Sequence, residues 1–105
     1  EKLYLTYLVQ GLHLNKLDFI HKGLVSLYEM DDIQKDTELF ISWIDKGEGL
    51  IANDVDFSEV DRYVAAHAYL YHRYYHSHMT KKKIMELFNI SRYKLDNAID
   101  QLLSI

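Results

Sequence analysis

Seven basic residues lie between positions 62 and 94, where Glu86 is the single acid. They are Arg62, Arg73, Lys81, Lys82, Lys83, Arg92 and Lys94. Such a cluster can neutralise nucleic-acid phosphates, and each neutralised phosphate releases a condensed counterion. Residues 1–61, in contrast, hold five Lys or Arg and thirteen Asp or Glu. The contrast predicts a local phosphate-contacting surface on an acidic chain. A solvated, lysine-rich helix face is the alternative.

The last basic residues belong to a pattern of two short helices. Residues 81–100 read KKKIMELFNISRYKLDNAID, in which Thr80 and Ser91 can act as N-caps and Asn89 separates two amphipathic segments. Asn tolerates the left-handed backbone that a tight turn requires. Apolar residues stand at the offsets that lock two such helices together: Ile84, Phe88, Ile90, Leu95, and Ala98 or Ile99. The pattern predicts a helix-turn-helix.

This stretch resembles the helix-turn-helix of phage Cro and repressor proteins and of many small bacterial transcription regulators. The resemblance covers about twenty of the 105 residues. It departs from the family at Met85, a first-helix position that is typically a small residue there. No relationship is recognised over the whole chain.

The resemblance implies that Ser91 to Asp100 form the recognition helix, whose N-terminal residues reach base edges in the major groove. Arg92 would contact guanine and Asn97 adenine, each through two hydrogen bonds. Tyr93 suits a methyl or sugar contact, and Lys94 suits a phosphate. The implied DNA-binding residues are Lys81, Lys82, Lys83, Ser91, Arg92, Tyr93, Lys94 and Asn97.

Three lysines begin the first helix of this motif, at positions 81–83. Cations at a helix N-terminus oppose the macrodipole, so they favour a role in phosphate binding over one in stability. Asp96 and Asp100 point the other way, because carboxylates on the recognition helix repel phosphate. Each would have to pair with Arg92 or Lys94, or accept a hydrogen bond from a cytosine amino group.

Other chemistries find less support. His72 and His76 share a helical face at a spacing that could bind zinc, but no second ligand pair and no HExxH pattern accompany them. Tyr69, Tyr71, Tyr74 and Tyr75 read as core and rim aromatics, with a stacking platform for single strands as the alternative. Cysteine is absent, and so are a glycine-rich phosphate loop and a nucleophile elbow. We therefore expect a non-enzyme with no metal and no cofactor.

The elements that position this motif are predicted to be helical throughout, with about six helices and an all-α fold. Leu3, Tyr4, Tyr7 and Leu8 predict a first helix that ends near Gly11. A second helix runs from an Asn15 cap to about Met30, and its apolar stripe is Leu17, Ile20, Leu24, Leu27 and Tyr28. Gly23 lies inside this helix, which indicates close packing against a neighbour.

A third helix is predicted from Asp32 or Asp36 to Lys46, with Phe40, Trp43 and Ile44 facing inward and Gly47 as C-cap. Residues 47–57 are the best linker candidate, because they combine two glycines with Asn and Asp. A long fourth helix begins at Ser58. Its buried side is predicted to carry Val60, Tyr63, Val64, His67, Leu70, Tyr71, Tyr74 and His78.

Together these observations predict an acidic helical region, 1–57, and a helix-turn-helix region, 58–105, packed as one compact unit. The expected function is sequence-specific binding of double-stranded DNA by a homodimer, as a small transcriptional regulator or replication accessory protein of bacterial, phage or plasmid type. The acidic half would serve self-association or bind a protein partner.

The alternative is a helical protein-interaction module or inhibitor. An uncovered apolar patch that contains Leu3, Tyr4, Phe19, Trp43 and Leu50 would favour it. The chain has no apolar run of about 20 residues that could cross a bilayer, and the start at Glu1 lacks signal-peptide features. We therefore expect a cytoplasmic protein that makes no membrane contact.

Overall fold

The computed structural model describes residues 18–30, 33, 37–53, 55, 58–75 and 79–105. These residues form five helices and no strand, which confirms the all-α class. The helices are α1 (residues 18–29), α2 (Thr37–Ala52), α3 (Val60–Tyr75), α4 (Lys81–Phe88) and α5 (Arg92–Leu103). The predicted helix from Leu3 to Gly11 and the Asn15 cap lie outside the described residues.

Helix α3 is the centre of the fold. Seven successive side chains, from Tyr63 to Tyr69, are buried. Three of them are alanines, so α2, α4 and α5 can pack closely against α3. The helix begins at Val60, within two residues of the start predicted at Ser58. One core cluster contains residues of all five helices and therefore spans both predicted regions.

The buried side of α3 differs from the predicted one at Tyr74. Val60, Tyr63, Val64, His67 and Tyr71 are buried as predicted, whereas Tyr74 is exposed. Tyr74 lies at the rim of an open groove that is also lined by Ile41 of α2 and Leu103 of α5. His78 lies outside the described residues.

Helices α1 and α2 meet at Gly23 and Trp43. A Cβ atom at Gly23 would overlap the Trp43 indole ring, so the predicted close packing at this glycine is confirmed. Trp43 is fully buried, and its Nε1 donates a hydrogen bond of 2.9 Å to the carbonyl oxygen of Ile20. The Phe19 ring lies 5.7 Å from the Trp43 ring, centroid to centroid.

The predicted stripe of α1 is partly wrong. Tyr28 is exposed, and Phe19, which the stripe omits, is buried. Phe19, Gly23 and Leu27 are spaced by four residues and form the line that faces α2, because the gap at Gly23 admits the indole. Tyr28 lies beside that line.

The predicted C-cap at Gly47 is wrong, and so is the part of the predicted linker over residues 47–52, because α2 continues to Ala52. Leu39, Trp43, Gly47 and Leu50 form one buried line along this helix. A Cβ at Gly47 would come within 3.1 Å of Ile20 Cγ1, so the glycine lets α1 approach and does not end the helix. The inward placement of Trp43 is confirmed, Phe40 is half-buried, and Ile44 is exposed.

His67 places a polar group in the core. Ser42 Oγ donates to the carbonyl oxygen of Leu39 at 3.1 Å and lies 2.9 Å from His67 Nε2. The Leu39 carbonyl oxygen also lies 3.3 Å from Nε2 and can only accept, so Nε2 carries a hydrogen. Burial lowers the pKa of His67 from 6.5 to about 4, and the charge of Lys46 contributes.

We expect Gly23→Ala to destabilise the fold. The alanine methyl group must displace a fully buried indole, and overpacking of this kind costs about 1–3 kcal/mol. Gly49→Ala is the matched control. It is the same change inside a helix, but the new Cβ meets Ile105, a side chain that is 42% exposed and can move aside. Urea unfolding measures both, and equal midpoints for the two variants would contradict the packing role of Gly23.

The free energy of unfolding should fall as the pH drops from 6.5 towards 4. The unfolded chain protonates His67 first, because the pKa of His67 is lower in the folded chain. The contribution of His67 to stability is complete above pH 6.5, and its loss amounts to about 3 kcal/mol. Urea unfolding across this pH range measures it, with His67→Gln as the control. A variant with the same pH dependence as the wild type would contradict the assignment.

Candidate nucleic-acid interface

Local hydrogen bonds define the turn between α4 and α5. Thr80 Oγ1 accepts from the N–H of Lys83 at 3.2 Å, and Ser91 Oγ accepts from the N–H of Lys94 at 3.2 Å. Asn89 is left-handed, with φ 52° and ψ 53°, and its N–H donates to the carbonyl oxygen of Met85. The predicted caps at Thr80 and Ser91 and the turn at Asn89 are therefore confirmed.

The inner faces of both helices pack into the core. The buried residues are Ile84 and Phe88 of α4 and Leu95, Ala98, Ile99 and Leu102 of α5. Ile90 is half-buried and packs against them, so every apolar offset of the predicted motif lies in or against the core. Met85 is half-buried at the edge of this core. Both helices of the motif pack on α3.

The outer face of α5 carries Tyr93 and Asn97. They lie four residues apart and opposite the buried line of Leu95 and Leu102. Tyr93 is 76% exposed, whereas Asn97 is partly exposed. Asp100 continues the same outer line towards the C-terminal end of α5. A groove-entering helix requires side chains that point outward in this way.

Asp96 binds two of the predicted DNA-contacting cations. Its Oδ1 accepts from Lys81 Nζ at 2.9 Å, and its Oδ2 lies 3.6 Å from Arg92 Nε. The hydrogen bond from Lys81, together with the charges of Lys81 and Arg92, holds the pKa of Asp96 below its ordinary value. The carboxylate therefore stays ionised at neutral pH and joins the start of α4 to the first turn of α5.

The contact with Asp96 occupies only one part of the Arg92 side chain. Arg92 Nε faces Asp96, while the side chain as a whole is 70% exposed. A guanidinium held at Nε can still direct its two terminal nitrogens outward, and these are the donors used to bind a guanine edge. Lys81 is held more closely, with its Nζ 6.0 Å from the centre of the buried Tyr69 ring.

Lys94 is linked to the start of α3. Its Nζ lies 3.5 Å from Glu59 Oε1, and Glu59 Oε2 also pairs with Arg62 Nη2 at 2.9 Å. One carboxylate therefore bridges two cations across α3 and α5. Arg62 Nε is buried without a hydrogen-bond partner among the described residues.

Lys82 and Lys83 differ from the other predicted cations. Both are exposed, and neither forms an ion pair within the described part of the chain. They begin α4, next to Thr80. Ser91 is exposed, and its Oγ caps α5, which fits the predicted capping role.

Among the described residues, the histidines and the buried tyrosines of the neighbouring cluster do not assemble a second site. His72 is buried, and its Nδ1 donates to the carbonyl oxygen of Ala68 at 2.8 Å. His76 and the side chain of Tyr75 lie outside the described residues, and within the described ones no group of three potential ligands could hold a metal. Tyr69 and Tyr71 are buried and present no face for base stacking.

Sequence reasoning missed two parts of the site. The pairing of Asp96 with Arg92 was one of the alternatives given for this carboxylate, but nothing in the spacing of Lys81 and Asp96 indicated a contact. Glu59, which binds Lys94, is not among the predicted site residues. Both contacts depend on how α3, α4 and α5 pack, and no local pattern in the sequence signals that packing.

None of the described helices is both long and apolar enough to cross a lipid bilayer. Comparison with known proteins adds no relative: no family model, no curated protein and no solved structure matches the chain.

Proposed function

We propose that this chain binds double-stranded DNA by placing the first turns of α5 in the major groove. The observation that carries the proposal is the exposure of Arg92 and Tyr93 at the capped start of a helix whose opposite face is fully in the core. A helix held in this way can enter a groove without rearrangement.

The roles follow from the contacts. Arg92 offers its outer nitrogens to a guanine, and Asn97, one turn after Tyr93 on the outer face, offers its amide to an adenine. Tyr93 supplies an apolar edge for a thymine methyl group or a sugar. Lys82 and Lys83 supply phosphate contacts that carry no sequence information.

The ion pairs limit the electrostatic part of binding. Lys81 and Arg92 share Asp96, while Lys94 and Arg62 share Glu59, so each trio presents one net positive charge. With Lys82 and Lys83, the surface offers about four positive charges to phosphates. The logarithm of the binding constant should therefore fall with the logarithm of the salt concentration with a slope near −4. Affinity from a single copy would therefore be modest, and this favours a homodimer that binds two half-sites.

In this proposal the protein is a cytoplasmic regulator of transcription or an accessory to replication, of bacterial, phage or plasmid type. A second candidate function is a helical protein-interaction module. Phe19, Trp43 and Leu50 are buried and do not support it, and Leu3 and Tyr4 lie outside the described residues. A different apolar face, which includes Ile41 and Tyr74, is exposed and does favour a protein contact.

Selection from random duplexes, followed by anisotropy titration across salt, tests the proposal. Arg92→Ala or Asn97→Ala should lose roughly 1–3 kcal/mol of discrimination at one base pair. Lys82→Ala and Lys83→Ala should weaken all duplexes alike and reduce the salt slope by about one each. Lys82→Arg and Lys83→Arg are the controls that keep the charge and the slope. Absence of binding at low salt would end the DNA proposal and leave the interaction module.

Asp96→Asn should have opposite effects on the overall affinity for DNA and on the preference among DNA sequences. The loss of the carboxylate leaves Lys81 and Arg92 without their counter-charge, so binding to random-sequence DNA should strengthen, with a salt slope steeper by about one. Preference among sequences should fall, because Arg92 loses the anchor at Nε. Asp100→Asn is the matched control: it also removes a repulsive charge from α5, but it touches no anchor and should keep the preference. Equal preference in both variants would show that Asp96 does not position Arg92.

A further inference from the structure

Large apolar side chains are exposed on one side of the molecule. Tyr28 of α1 is 68% exposed, Ile41 of α2 60%, Tyr74 of α3 82% and Leu103 of α5 69%. Val25 and Ile44 are each 38% exposed. We call these six residues the apolar face.

The apolar face is continuous across α2. A groove of about 470 Å³ between α1 and α2 is lined by Val25, Tyr28 and Ile44. A second groove, of about 800 Å³, is lined by Ile41, Tyr74 and Leu103. Ile41 and Ile44 are three residues apart on one side of α2 and form the ridge between the grooves.

The area of the face suits a dimer. If a large side chain has about 200 Å² of surface, the six exposed fractions amount to roughly 700 Å². The largest apolar patch on a typical monomer is about 300–600 Å². One partner of a stable protein interface buries about 800 Å². The face is therefore large for a monomer and close to one half of a standard interface.

We infer that a second copy of this chain packs on the apolar face, with the two α2 helices antiparallel about a twofold axis between Ile41 and Ile44. In that arrangement Ile41 of each copy meets Ile44 of the other. The same axis places Glu38 of each copy beside Asp45 of the other, because both residues lie on the exposed flank of α2 next to Ile41. Two carboxylates therefore approach each other at the rim on each side. Glu48 comes opposite Thr37, at the N-terminal end of the other α2, where a carboxylate is favoured.

This interface leaves the proposed DNA-binding residues uncovered. Leu103 of the apolar face and Arg92 lie at opposite ends of the twelve-residue α5, about 16 Å apart along the helix axis. A dimer formed through α2 would therefore present two α5 N-termini to solvent. The role of this dimer in DNA recognition rests on the proposed function. The dimer itself does not, because it forms without DNA.

Sedimentation equilibrium of the full chain without DNA tests the inference. The wild type should reach the mass of a dimer as its concentration rises, and Ile41→Glu should raise the dissociation constant at least about tenfold. Ile41 is exposed, so the variant should still fold. Tyr93→Glu, an equally polar change at an exposed aromatic residue of α5, is the control and should leave the dimer intact.

A charge swap tests the geometry of the pairing. Glu38→Lys and Asp45→Lys should each strengthen the dimer, because each replaces a carboxylate–carboxylate contact with an ion pair on both sides of the axis. The double variant should be no tighter than the wild type, because two ammonium groups then meet. A wild type that stays monomeric at every concentration would overturn the inference, and so would a dimer that Ile41→Glu leaves intact. A dimer that forms without any affinity for DNA would overturn only the proposed function.

Discussion

The burial of α3 on nearly all sides is the constraint on which the rest of the structure depends. A helix with seven successive buried residues needs neighbours around its whole circumference, and α2, α4 and α5 supply them. Ala65, Ala66 and Ala68 keep those neighbours close, while His67 is accommodated because Ser42 and Leu39 satisfy its Nε2. The outer surfaces of α2 and α5 then become the surfaces left to meet other molecules.

The same packing decides how the charges of the basic block are used. Lys81, Arg92 and Lys94 each face a carboxylate, because α3 brings the starts of α4 and α5 together beside Glu59 and Asp96. Partly exposed ion pairs contribute little to stability. Their larger effect is to fix where Arg92 points, at the expense of charge that could attract phosphate. Such a surface binds phosphates less strongly, but it holds Arg92 in a fixed direction. Base recognition requires a side chain that is oriented in this way.

Local patterns in the sequence predicted the helix-turn-helix, whereas tertiary packing decided what they missed. Thr80, Asn89 and Ser91 act on backbone groups within three or four residues, so their roles could be predicted from the chain alone. A glycine at position 47 is consistent with a helix C-cap and with a close contact between helices. The second interpretation is correct because Ile20 of α1 lies against Gly47, which the local sequence does not indicate. The exposure of Tyr28, Ile44 and Tyr74 also depends on which neighbour lies opposite. The Lys81–Asp96 and Lys94–Glu59 pairs join separate helices and had no signal in the spacing.

The two surfaces of α5 are mechanically connected, because the helix is a single rigid element from Arg92 to Leu103. Leu95, Ala98 and Leu102 fix it to the core along its whole length, so a partner seated on Leu103 and Tyr74 would set the direction in which Arg92 points. For a pair of copies, the distance between the two recognition helices would then be fixed by how α2 meets α2. The contact through the apolar face would then determine the half-site spacing on DNA. The acidic, glycine-containing α2 would thus contribute to recognition although it touches no base.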